Sequence, residues 1–350
     1  MPLAPDAYVP RLHRSTDFRL ANGAVLPELV QSHLALGTLN AAGDNAVIVL
    51  HGLTTGPSML NPGAFAAEGA WSGLVGPGRA IDTDRFFVVC PNALGSSYGT
   101  TGPASIDPRT GAPYGPSFPD FTVGDMIAAQ KRLLDHYGVT KLVAAVGPSM
   151  GGYQAFEWGV AYPAFVERVV AAVTCPYHRS PIASEGALRQ TLAAAPAWRD
   201  GAYVDTPGSM QPFMTTLRIA TLQRYGIETE LAAAFPDAAA RQAEIARLAA
   251  DWAAVFDPNA LLALTRACDK FDTRPRLHEM RAPVLYVNSR TDVGFPPELA
   301  LEVMPLLAAA GVDARYIELD SDKGHLASGA DAALWSDELA SFLRAPVPAR

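Results

Sequence analysis

The chain has 350 residues and a formal net charge of −8. Its length suits one large domain with an insertion, or two domains, and its 49% hydrophobic and 18% charged residues suit a soluble globular protein. The negative balance, with no Lys/Arg cluster to oppose it, argues against a nucleic-acid surface, and no run approaches the ~20 apolar residues of a membrane span.

Cys90, Cys175 and Cys268 are odd in number and far apart. They read as buried free thiols of a reducing cytoplasm rather than a disulfide framework. There is no C-x-x-C pair, and the seven histidines show no metal-ligand spacing, so neither metal nor cofactor is expected. The opening MPLAPDAYVPRLHRS lacks the apolar core of a secretory signal.

Residues 1–20 are interrupted by prolines and read as irregular up to Phe18. Phe18–Leu20 and Val30–Leu39 are candidate first strands, paired as a hairpin around Gly23 and Pro27. Ala46–Leu50 (AVIVL) is wholly apolar, as a strand buried on both faces must be, and leads into His51-Gly52-Leu53-Thr54-Thr55-Gly56. Phe86–Cys90 is a second such strand. The long Gly/Pro/Ser-rich stretch from Asn92 to Phe118 follows it and reads as a functional loop.

Val123–Tyr137 has helical spacing of Met126, Ile127, Leu133 and Leu134, with Gly138 placed to end it. Leu142–Val146 and Val169–Val173 are further buried strands. From Pro176 to Pro275 alanine and leucine dominate and β-branched runs disappear, which reads as a helical cap. The division expected is 1–175 with 277–350 as core, and 176–276 as lid insertion. Pro283–Asn288 and Arg315–Leu319 resume the strands around a helix at Glu298–Ala310. A last helix covers Ala332–Leu343, with Asp331 as its N-cap. The alternation implies an α/β fold with a mostly parallel sheet and helices on both faces.

The chemistry gathers at Gly147-Pro148-Ser149-Met150-Gly151-Gly152, a G-x-S-x-G between a strand and a helix. This is the nucleophile-elbow pattern, and side chains at Gly147 and Gly151 would collide with neighbouring backbone in so tight a turn. A serine hydroxyl needs a general base, and that base an orienting carboxylate. His325 follows the strand ending at Leu319, and Asp292 the strand ending at Asn288, so both fall at C-terminal strand ends as Ser149 does. Ser149, His325 and Asp292 are therefore assigned as nucleophile, base and orienting acid. The amides of Met150 and Leu53 are assigned as the oxyanion donors. Asp320 and Asp322 are rival acids that read as solvated turn residues, and His51 reads as structural. His13, His33, His136, His178 and His278 read as surface or satisfied-core residues.

These motifs carry a resemblance. The stretches LALGTLNAAGDNAVIVLHGLTTG, GPGRAIDTDRFFVVCPNALGSSYGTTGPASIDPRTGAPYG, FPDFTVGDMIAAQKRLLD, GPSMGGYQAFEWGVAYP and TDVGFPPE are similar to the homoserine O-acetyltransferase family of the α/β-hydrolase superfamily. The resemblance implies an α/β-hydrolase fold with a helical lid, a homodimer, and transfer of acetyl from acetyl-CoA to homoserine through an acyl-serine. It also implies that Arg218 and Tyr225, seven residues apart, hold the substrate carboxylate, and Thr54 is grouped with them as substrate-binding; an exposed lid arginine is the plain rival for Arg218.

The chain departs from the family in three places. The residue after His325 is Leu326, where the family has an aspartate that binds the amino group. The His51–Gly56 loop is one residue longer, and Pro148 stands where glycine is usual. Because Leu326 cannot pair with an ammonium group, the expectation is a hydrolase of small acetyl esters with homoserine O-acetyltransferase as the alternative. A non-catalytic binding protein is a third reading, disfavoured by the complete set of site residues.

Overall fold

The computed structural model describes residues 3–65, 69–179 and 184–346. Eight strands form one sheet: β1 (Arg11–Arg19), β2 (Val25–Leu36), β3 (Ala46–Val49), β4 (Phe87–Pro91), β5 (Leu142–Pro148), β6 (Val169–Ala172), β7 (Val284–Ser289) and β8 (Ala314–Leu319). Their spatial order is β1-β2-β4-β3-β5-β6-β7-β8. The β1–β2 and β2–β4 pairs are antiparallel and the other five parallel.

The buried strands show why apolar runs were needed. Along β3 and the residue after it, Ala46, Ile48 and Leu50 face one core while Val47 and Val49 face the other. With a period of two and both faces covered, no position is left for a polar side chain. The first core takes in helices α1 (Val123–Tyr137) and α2 (Met150–Ala161); the second takes in Trp71, Trp335 and the C-terminal helix. Helix α1 begins at a capping box, in which the Thr122 hydroxyl accepts from the Asp125 amide and the Asp125 carboxylate accepts from the Thr122 amide. It ends at Gly138 with φ 80°.

Two expectations fail near the N-terminus. Residues 11–19 are not irregular; they form β1, an edge strand whose exposed face needs no apolar pattern and so gives little signal. Strand β2 starts at Val25 rather than Val30. The paired register skips Asp17 and Pro27, and Asp17 has φ 54°, so the proline with no N–H sits where the ladder is already irregular. The loop after β4 lies along β2. The Thr100 and Thr101 hydroxyls accept from the Ser32 and Val30 amides at 3.0 and 2.8 Å, which satisfies β2 where no strand covers it.

Among the described residues, five α-helices lie between β6 and β7: α3 (Glu185–Ala193), α4 (Gln211–Tyr225), α5 (Ile227–Leu231), α6 (Ala238–Ala253) and α7 (Pro258–Asp269). Leu188 and Leu192 of α3 and Leu264 of α7 join the first core. Helices α4, α5 and α6 close a small core of their own around Leu222, Ile227, Leu231, Ile245 and Ala249, and Leu326 from the loop after β8 completes it. Helix α8 (Ala300–Ala309) crosses between β7 and β8, and the short α9 (Ala327–Ala330) precedes α10 (Ser336–Arg344).

Asp331 is not the N-cap of α10. Its carboxylate accepts from the Ser321 hydroxyl at 2.5 Å and pairs with Lys323 at 2.8 Å, and a 3₁₀ turn at Ala332–Leu334 separates it from the helix. An ammonium partner and a hydroxyl donor compete better for the charge than distant helix amides do. Among the described residues no helix is long and apolar enough to cross a membrane.

Candidate active site

Ser149 stands at the junction of β5 and α2 with φ 56° and ψ −123°. Such a backbone costs a non-glycine residue about 1–3 kcal/mol and persists only where its surroundings enforce it. The enforcement is visible. A Cβ added at Gly147 would lie 2.6 Å from the Leu50 carbonyl oxygen, and one at Gly151 only 2.1 Å from the same atom. The Ser149 amide donates to the Ala172 carbonyl at 2.9 Å. Its carbonyl accepts from the Gly152 and Tyr153 amides at 2.9 and 3.2 Å and from the Thr174 hydroxyl at 2.8 Å. Thr174 is itself fully buried, and its carbonyl accepts from Tyr286 at 2.8 Å.

The loops after β7 and β8 are tied to each other. The Thr291 hydroxyl donates to the Ser321 carbonyl and accepts from the Gly324 amide, at 2.9 and 3.0 Å. That bridge sets Asp292 beside His325, with 2.7 Å between Asp292 Oδ2 and His325 Nδ1. The other carboxylate oxygen accepts from the Gly294 and Phe295 amides at 2.8 and 3.1 Å. Burial pushes the Asp292 carboxyl up, but the His325 imidazole and the two amides outweigh it and hold the group below the ordinary carboxylate value. Asp320 is highly exposed and pairs with Arg290, and Asp322 is also exposed, so neither rival carboxylate serves His325.

The imidazole is packed between rings. Tyr225 lies 4.6 Å away between centroids and Phe295 5.7 Å. Tyr225 ends α4, and the backbones touch there: a Cβ at Gly226 would lie 2.6 Å from the Lys323 carbonyl. Helix α4 is thus seated on the His325 loop.

His51 is fixed from both sides, Nδ1 donating to the Gly52 carbonyl at 2.7 Å and Nε2 accepting from the Ala93 amide at 2.9 Å. Full burial depresses its pKa to about 4, only partly opposed by its hydrogen bonds, so it is a neutral strut for the loop that carries Leu53. Leu53 and Met150 line a cavity together with Ser149, Asp292 and His325.

A second cavity is lined by Ser149, His325, Thr54, Arg218, Tyr225 and Leu326. Arg218 is not an exposed lid residue; it is 3% exposed, donates to the Thr54 hydroxyl at 2.8 Å and lies 5.0 Å over the Trp252 ring. The Trp252 indole in turn donates to the Thr54 carbonyl at 2.9 Å. Leu326 is 8% exposed and belongs to the α4–α6 core while touching this cavity.

One residue escaped the sequence reading. His178, taken as a surface or satisfied-core histidine, lines the first cavity, with Nε2 3.1 Å from Asp269. The available signal was its place on the loop after β6, the same kind of strand end that carries Ser149, Asp292 and His325.

The α/β hydrolase fold model matches residues 45–327. The homoserine O-acetyltransferase of Moorella thermoacetica is 38% identical over 87% of this chain and 88% of its own length. That of Symbiobacterium thermophilum is 36% identical over 93% and 91%. Among solved structures, esterase E22 superposes with a TM-score of 0.84 at 26% identity, covering 96% of this chain and 100% of that one; a leucine-to-aspartate mutant of the same esterase gives 0.85. The homoserine O-acetyltransferase of Bacillus anthracis gives 0.84 at 24% identity over 98% and 99%, a likeness of fold.

Proposed function

The chain belongs to the homoserine O-acetyltransferase family of α/β-hydrolase acyl-transfer enzymes, and from that premise we propose that it moves an acetyl group from acetyl-CoA to the hydroxyl of homoserine by way of acyl-Ser149. The observation that carries the reading is the Asp292–His325 pair at 2.7 Å, set at the same cavity as a serine held in a strained elbow. Sequence alone ranked ester hydrolysis first; the identity to acetyltransferases over nearly the whole chain reverses that order.

The steps follow from the residues. Ser149 Oγ attacks the thioester carbonyl as His325 Nε2 takes its proton. Asp292 holds the ring through Nδ1 and stabilises the imidazolium. The Leu53 and Met150 amides receive the oxyanion, each worth roughly 3 kcal/mol of barrier. The C–S bond breaks and His325 returns the proton to the departing thiolate. The acceptor hydroxyl then loses its proton to His325 and attacks the acyl-serine, and the product ester leaves with Ser149 restored. Arg218 and Tyr225 on α4, with Thr54 beside them, hold the acceptor carboxylate. Residues 176–276 act as the lid. With the family comes a homodimer in the cytoplasm, which sedimentation and fractionation would check.

A specific observation favours hydrolysis as the second reading. Leu326 packs among Leu222, Ile227 and Leu231, where an ammonium group would find no partner, and esterase E22 is among the structural relatives. Purified protein given acetyl-CoA with and without homoserine separates the two. Consumption strictly dependent on homoserine supports transfer; equal consumption in its absence, or turnover of acetyl esters alone, replaces transfer with hydrolysis.

A further inference from the structure

Leu53, Ser149, Tyr225 and His325 line both cavities, so the nucleophile stands on the wall between two chambers. The two differ in chemistry. The second presents the Arg218 guanidinium and the hydroxyls of Thr54, Thr55 and Ser328. The first runs from Met150 past Tyr153 of α2 and Phe295 to Thr265 and Cys268 of α7; Arg224 and His178 also line it, but its surface is predominantly apolar. Thr265 and Cys268 are buried, and burial pushes the Cys268 thiol up to about 12, so it stays uncharged and behaves as a small apolar group.

An ester poised on Ser149 has two arms. The alcohol arm is polar and suits the chamber with hydroxyls and a cation; the acyl arm is hydrocarbon and suits the other. An acetyl methyl is a single carbon beyond the carbonyl at Ser149, whereas the lining of the first chamber continues past Tyr153 to Thr265 and Cys268.

We propose that the first chamber is an acyl subsite for chains longer than acetyl, such as butyryl and hexanoyl, with Thr265 and Cys268 setting the length limit. The inference rests on the acyl-Ser149 reading and changes only the length of the acyl group. The chemistry is ordinary acyl transfer. The bond from the acyl carbon to the leaving sulfur of a thioester, or the leaving oxygen of an ester, breaks, a bond to Ser149 Oγ forms, and the proton from Ser149 passes through His325 to the departing thiol or alcohol. Water or an alcohol then reverses the sequence. Each further methylene moved out of water raises kcat/KM roughly fourfold until the chamber is full.

The test compares p-nitrophenyl acetate, butyrate and hexanoate on the full chain, its Cys268→Phe variant and, should that variant fold poorly, Thr265→Met. Fluorophosphonate labelling of Ser149 runs alongside. The expected result is kcat/KM rising from acetate to hexanoate in the parent, and a hexanoate-to-acetate ratio at least tenfold lower in the filled variant. A steady fall from acetate to hexanoate in the parent overturns the subsite. So does labelling of Ser149 without turnover of the longer esters. An unchanged ratio in the filled variant also overturns it; if KM for acetyl-CoA rises at the same time, the chamber belongs to the thioester's own arm. Failure of the probe to label Ser149 at all would instead remove the acyl-Ser149 reading beneath it.

Discussion

The elbow and the α4–α6 helices meet at the same cavity and are specified in opposite ways. At the elbow the constraint is main chain against main chain: Gly147 and Gly151 against Leu50, and a serine fixed at φ 56°. At α4–α6 it is side chain against side chain across distant segments: Arg218 on Thr54, Trp252 under Arg218, Leu326 among leucines and isoleucines. The first arrangement admits few sequences and leaves a motif. The second admits many and leaves none. Positioning of the reacting groups is therefore rigid, while the choice of what they react with is open to change by single residues.

Substitutions can be ranked by how hard they press on that contrast. Asp292→Asn keeps the shape but presents His325 with the wrong tautomer, and kcat is expected to fall roughly 10⁴-fold with little change in KM. Steady-state kinetics on the purified variant check this, and a loss under tenfold would detach Asp292 from the chemistry. Gly151→Ala drives a methyl to within 2.1 Å of the Leu50 carbonyl. It should cost more than about 3 kcal/mol, read as a lowered urea midpoint or failure to fold. A midpoint equal to the parent's would mean that the elbow is not sterically fixed.

Arg218→Met preserves most of the packing against Trp252 and removes the charge. On the proposed reading KM for homoserine rises on the order of a hundredfold while ester hydrolysis changes little, because a charged hydrogen bond is worth about 1.5–3 kcal/mol. Parallel loss of both activities would make Arg218 a strut rather than a ligand. Thr174→Val removes one of three donors to the Ser149 carbonyl without changing shape. Roughly a tenfold loss in kcat is expected, with Thr174→Ser restoring most of it.

The smallest effect is one of pH. His33 is buried against Tyr137 at 2.7 Å, and burial depresses its pKa to about 4. Between the ordinary histidine value and that depressed one, the unfolded chain binds a proton that the folded chain refuses. Stability therefore falls as pH drops through that window, by about 1 kcal/mol between pH 7 and 5.5. In His33→Gln this part of the slope should vanish from urea titrations, and its persistence would assign the slope to other groups. Asp292 acts at lower pH: its depressed pKa contributes stability that is present above the ordinary carboxylate value and lost as pH falls through the depressed one.

Much of the fold was legible in the sequence, because strands buried on both faces must be apolar throughout, and Gly138 and the elbow glycines punctuate sharply. Strand β1 was not legible, since an edge strand with a solvated face needs no pattern. Nor was the role of Asp331, since a carboxylate before a helix looks alike whether it caps the helix or, as here, pairs with Lys323. The placement of Ser149, Asp292 and His325 at strand ends could be read from the chain. The burial of Arg218 could not, because it depends on Thr54 and Trp252, which are 164 and 34 positions away. His178 was passed over because a lone histidine carries no motif; only the sixth strand's end marks it.

The central claim is the covalent one, that Ser149 carries the acyl group. The direct test is mass spectrometry of protein mixed with acetyl-CoA and quenched in acid within the first turnover. The account predicts a mass gain of one acetyl group, mapped to the peptide containing Ser149 and absent from Ser149→Ala. Turnover with no acetylated protein, or an acetyl group mapped to any other residue, would contradict it.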